Sequence, residues 1–221
     1  TNENGLNNDN ISKTTVNLSY STVSEFDADL VKLYIGVESI SENIDDARED
    51  NNNKINRIDK FLSKYKEINY NTTSYNVQTN YRYGEMKEEK KKYYRITNTF
   101  EVTINNLDLI GEIIDKSLDA GANNISRIEY MLANRKKVKE EVTKEAIKGL
   151  NNKAKFISNE LNKNHYELKN LNINDNINSR SLFYNNMEKS LSNNENLPTE
   201  IKAQKIKITI NLNGEYMFYN K

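Results

Sequence analysis

The chain has 221 residues, with 32 basic and 32 acidic side chains, one histidine and no cysteine, enough length for a real core in one large or two small domains. Without cysteine there are no thiol nucleophiles, disulfides, zinc–thiolate sites or iron–sulfur clusters, and one histidine leaves no His–His metal pair. Zero net charge argues against broad nucleic-acid binding, which leaves a basic footprint, and no run approaches the roughly 18 consecutive apolar residues of a membrane-spanning helix.

Residues 1–11 read as a disordered polar tail, and residues 12–221 as one α+β domain. The start at Thr1 rather than methionine reads as a chain from which an N-terminal segment has been removed, of the kind that follows an export signal or a lipid-anchored residue. A first strand is marked by Val16, Leu18 and Tyr20 alternating with Asn17, Ser19 and Ser21. A second carries Val31, Leu33, Ile35 and Val37 on one face. An amphipathic helix follows, its stripe formed by Ile44, Ala47, Asn51, Ile55, Ile58, Leu62 and Tyr65. Tyr75, Val77, Thr79, Tyr81 and Tyr83 then share one strand face, as do Tyr94, Ile96, Phe100, Val102 and Ile104. The charged stretch from Gly84 to Lys92 joins these two strands as a long hairpin.

A second helix is expected from about Leu107 to Ala120, with Asn106 as N-cap and Gly121 as its stop. A third and longer one is marked by Val138, Val142, Ala146, Leu150, Ala154, Ile157 and Leu161. The stretch Asn172–Pro198 has poor periodicity and reads as an excursion, with or without a short helix around Leu182, Phe183, Met187 and Leu191. Ile206, Ile208, Ile210 and Leu212 alternate in a closing strand. Asn213-Gly214, a strong hairpin signal, predicts a turn there with Glu215 to Tyr219 returning as a strand. The fold class is therefore α+β. It has an antiparallel sheet with a ferredoxin-like β-α-β-β-α-β unit over about residues 29–132, its helices on one face, then the long helix and C-terminal strands over about 135–219.

Few residues suggest chemistry. The acids from Glu42 to Asp50 suit the positive end of a helix dipole, and Asp50 to Lys54 lacks the central glycine and closing glutamate of a calcium loop. His165, just after the third helix, has no identifiable serine, cysteine or metal partner. There is no phosphate-binding glycine loop, and no carboxylate pair stands out. No catalytic, cofactor or metal residue is assigned, and the chain reads as a non-enzyme. The residues singled out for partner contact are Tyr75, Tyr81, Tyr83 and Tyr93 on the middle strands, with Phe183 and Tyr184 in the excursion. The shared-face tyrosines are expected to pack under the helices or against a neighbouring subunit. Exposed on an open sheet face they would instead form a stacking platform for a small ligand or, less favoured by the balanced charge, RNA. Lys90-Lys91-Lys92, offset by Glu85, Glu88 and Glu89, reads as a solvated hairpin tip.

The order of elements and the local wording together resemble the SIMPL-domain family of bacterial envelope proteins. The matching pieces are Asp29 to Val37, the helix with Ala47, Thr73-Ser74-Tyr75 leading to Tyr81-Arg82-Tyr83, and Tyr94 to Asn98 ahead of Leu107-Asp108. The most specific piece is Gly111-Glu112-Ile113-Ile114-Asp115 followed by Ala120-Gly121-Ala122-Asn123-Asn124-Ile125. Glu145-Ala146, Lys153-Ala154 and Ile201-Lys202-Ala203 complete it. The resemblance implies export to the periplasm or cell surface, with a lipid anchor upstream as one route, and self-assembly into homo-oligomers. It supplies no catalytic residues, cofactor or named envelope partner, and nucleic acid is not expected. Sheet edges at the terminal strands and the Asn172–Pro198 excursion are the surfaces expected to mediate assembly.

Overall fold

The structure, a computed structural model, describes residues 12–83, 90–178 and 204–221, together with the backbone of 181–182. The expected tail at 1–11, and Phe183, Tyr184 and most of the excursion, lie outside the described residues. The described chain divides into two compact units, one built from 27–133, 181–182 and 204–206 and the other from 12–26, 134–178 and 207–221.

The first unit contains β2 (Leu30–Ser41), α1 (Ile44–Leu62), β3 (Ile68–Tyr83), β4 (Lys90–Ile104), α2 (Ile110–Asp119), β5 (Asn124–Met131) and β7 (Ser181–Leu182). Its five-stranded sheet has the order β3-β4-β2-β5-β7 with antiparallel pairing throughout, so the first four strands reproduce the ferredoxin-like arrangement. Local signals act where the sequence places them. Asn43 caps α1 by accepting from the Asp45 amide at 2.8 Å, and Asn106 caps the short turn before α2 by accepting from the Asp108 amide. Gly121 ends α2 at φ +109°, a left-handed conformation suited to glycine.

The alternation of β2 becomes burial: Val31, Leu33 and Ile35 are fully enclosed, with Ile96, Phe100, Val102 and Ile104 of β4 beside them. Each such side chain is worth about 1.5–3 kcal/mol against exposure. From α1, which packs on β2 and β4, Ala47, Ile58 and Leu62 complete this core. The stripe also buries Asn51, whose amide donates to the carbonyls of Val37 at 3.4 Å and Ile96 at 3.3 Å while its own oxygen has no partner.

The second unit has β1 (Thr14–Asp27), α3 (Arg135–Glu160), β6 (His165–Asn178) and β8 (Lys205–Tyr219), with sheet order β1-β8-β6. Its core joins Val142, Ala146, Leu150 and Ala154 of α3 to Ile208, Ile210, Leu212, Tyr216 and Phe218 of β8.

Three expectations are corrected here. Asn213-Gly214 forms no turn: β8 runs straight through it, and neither residue has a positive φ. The buried positions keep their phase from Ile206 to Phe218, and a side chain at Gly214 would press on Tyr216, Leu168 and Leu150. This glycine is there for close packing, not for a turn. The excursion, in turn, does not begin at Asn172, because 165–178 is a strand paired with β8 and Ser181–Leu182 pairs with β5 in place of a helix start. Finally, the closing strand is the centre of its sheet, so β1 and β6 are the edges there. Among the described residues no helix is long and apolar enough to cross a membrane.

Candidate functional site: the β3–β4 hairpin

β2 last pairs with β4 at Ser41 opposite Tyr94. The β3–β4 ladder continues beyond it through Asn80–Tyr93, Tyr81–Lys92, Arg82–Lys91 and Tyr83–Lys90. Strand alternation sorts these side chains: Tyr81, Tyr83, Lys90, Lys92 and Tyr94 share the face that α1 covers further along, and Arg82, Lys91 and Tyr93 share the other. Every described residue at 81–83 and 90–95 is tyrosine, lysine or arginine.

Cations are held over rings. Lys90 lies 4.0 Å from the centre of the Tyr81 ring, Lys92 4.8 Å from that of Tyr94, and the Arg82 guanidinium 5.1 Å from that of Tyr93. A hydrogen bond to Tyr94 raises the pKa of Lys92, so its charge persists at neutral pH. Where β2 stops, Ile40, Glu42, Arg82, Lys91, Lys92 and Tyr93 line a cleft of about 300 Å³.

Tyr75, Tyr81 and Tyr83 are 53%, 49% and 66% exposed, so the expected packing under the helices does not occur. Among the described residues Tyr81 and Tyr83 have only β4 as a strand neighbour, and Tyr75 lies further along the same edge strand β3. Tyr93 is half-buried beneath Arg82, on the opposite face from the other three. The structure thus gathers Tyr81, Tyr83 and Tyr93 at one end of the sheet and sets Tyr75 further along the same strand. The sequence alone reads Lys91 as part of a solvated hairpin tip and assigns Arg82 no contact. Their juxtaposition depends on hairpin register, which alternation within one strand does not give.

The remaining candidates have local roles. Asp50 to Lys54 lies inside α1, which is incompatible with a calcium loop, and Asp50 accepts from Lys54 and from the buried Ser39. These two contacts, Lys54 first, hold its carboxyl below the usual range. His165 opens β6, stacks on Tyr219 at 5.6 Å and contacts Asn164. The open face of the five-stranded sheet carries a closed ionic network. Lys32 pairs with Glu101 at 2.8 Å, Arg127 pairs with Glu129 at 3.1 Å, and the Tyr34 hydroxyl donates to Glu101 at 2.9 Å. Among the described residues no group of three or more His, Asp or Glu is placed to hold a metal ion.

A ferredoxin-like antiparallel unit with a projecting aromatic and basic hairpin, followed by a long helix on a second sheet, defines a mixed α+β protein. The SIMPL family, described as a protein of unknown function (DUF541), matches residues 16–216, and the chain belongs to it. No curated protein matches the chain.

Proposed function

We propose that this is an exported, non-catalytic cell-envelope protein, resident in the periplasm or at the cell surface, that works through protein–protein contacts and self-assembles into homo-oligomers. The observation that carries this reading is β3. It is a 16-residue strand with a strand neighbour on one side only among the described residues, and it exposes Tyr75, Val77, Tyr81 and Tyr83. A long edge of this kind, bearing apolar groups, is a template for strand addition unless something covers it. The second unit repeats the feature in β6, where Tyr166, Leu168 and Ile173 are exposed on another edge. Sedimentation velocity over a wide concentration range tests the reading. Oligomers that dissociate when Val77→Lys places a charge on the edge are expected, and a monomer at every concentration would overturn self-assembly. Fractionation of the native host tests export, with recovery in the cytoplasm as the contrary result.

Exposure of Tyr75, Tyr81 and Tyr83 favours one second reading, a binding module that stacks a small envelope ligand on this tyrosine face. The chain has no tryptophan, so tyrosine emission is unmasked. Ligand-induced quenching that disappears in Tyr81→Ser/Tyr83→Ser is the expected signature.

A further inference from the structure

We infer that the cleft at the root of the β3–β4 hairpin, on Arg82 and Lys91, binds the phosphate of an organic phosphomonoester. The inference needs neither self-assembly nor export, and the cleft's floor lies on the opposite sheet face from the exposed tyrosines. Two cations, Arg82 and Lys91, lie on that face, and their two positive charges suit a phosphomonoester dianion; Glu42 is the one carboxylate among the described lining residues. The Lys92 ammonium lies over the Tyr94 ring on the other face. Among the described residues neither Arg82 nor Lys91 is in an ion pair.

Three other cations of the same sheet are paired: Lys32 with Glu101, Arg127 with Glu129, and Arg95 with Glu38 beside the cleft. Arg82 is also positioned, because its guanidinium rests on the Tyr93 ring, which leaves a planar fork of donors to grip phosphate oxygens in pairs. Lys91, directly opposite Arg82 in the ladder, supplies a second charge from the neighbouring strand. Ile40, 43% exposed, and the side of Tyr93 give an apolar wall, so the ligand carries a carbon skeleton beyond its phosphate. The volume of about 300 Å³ suits a monosaccharide- or nucleoside-sized ester and excludes a folded partner from the cleft itself.

The test is calorimetric titration of the full chain with inorganic phosphate, glucose 1-phosphate and AMP at low salt. Saturable binding of at least one ester, tighter than inorganic phosphate, is expected, and the preferred ester identifies a sugar or a nucleoside as the skeleton. Arg82→Gln/Lys91→Gln should weaken it by about tenfold or more. Lys136→Gln/Lys144→Gln, an equal charge change at the start of α3, should leave it unaltered. Circular dichroism confirms that both variants remain folded. No binding at about 10 mM ester, or equal loss in the two variants, overturns the inference. So does binding of polyuridylate without binding of any monoester, which would make the hairpin a polyanion surface.

Discussion

Gly214 offers the sharpest test of how β8 is built. A β-carbon added there would lie 2.9 Å from Cε2 of Tyr216, 3.1 Å from Cδ1 of Leu168 and 3.2 Å from Cδ2 of Leu150. Tyr216 and Leu150 are each 1% exposed and cannot swing clear, whereas Leu168 is 40% exposed and can. Overpacking of this kind costs about 1–3 kcal/mol. Against it, replacing glycine by alanine in extended backbone restricts the unfolded chain and returns about 0.4–1 kcal/mol. Crowding wins, and Gly214→Ala should lose about 1–2 kcal/mol, a fall of about 2–4 °C in melting temperature for each kcal/mol. The diagnostic measurement is a double-mutant cycle by urea denaturation. Tyr216→Leu removes the ring edge that the new methyl group meets, so the double variant should be more stable than the sum of the single losses by about 0.5–1.5 kcal/mol. A glycine needed for a positive-φ turn would be damaged by alanine whatever stood at position 216. Strict additivity would therefore refute the packing account.

Two further variants probe the first unit. Asn51→Ala leaves a cavity and should cost about 2 kcal/mol, whereas Asn51→Leu fills the space and removes the unpartnered oxygen, so it should stay within about 1 kcal/mol of the parent. A leucine variant as weak as the alanine one would show that the two long hydrogen bonds, rather than volume, secure α1 to the sheet. Glu101 tests the open-face network: Lys32 first, with Tyr34 assisting, holds its carboxyl below the usual range. A depressed folded value means its contribution is complete above the unfolded pKa of about 4.3 and is lost as pH falls through the folded value. Stability measured by urea midpoint should drop less steeply below that pH in Glu101→Gln than in the parent, and parallel curves would dismiss the network as a source of acid sensitivity.

What the sequence conveyed about the fold followed burial. Strands with one enclosed face, β2 and β4, announced themselves because alternation is the imprint of a core on one side, and α1 announced its buried stripe even at Asn51. β6 did not. Its side chains are almost all exposed, so no core imposes a pattern, and a register shift between Leu168 and Asn170 moves its apolar residues from even to odd positions. Asn213-Gly214 misled for the converse reason. A dipeptide that suits a turn also suits a crowded strand centre, and only Leu150, Leu168 and Tyr216 decide between them. At the candidate site, the tyrosines were visible in the sequence. Their exposure was not, because it follows from β3 and β4 outrunning β2 and from β3 lying at the edge.

Net charge misled in a related way. A total of zero removes long-range attraction to polyanions, but it constrains only the sum. Residues 81–95 hold six of the chain's basic side chains against three acidic ones, and the pairing of β3 with β4 sets Arg82 and Lys91 face to face. Within a cleft of about 300 Å³ the relevant field is that of the nearest few charges, since those beyond about 8–10 Å are screened at ordinary ionic strength. A neutral protein can therefore carry a local anion site without the nonspecific binding of a basic surface. Arg82, fixed on Tyr93, is the residue through which such a site would distinguish a phosphate group from a merely negative one.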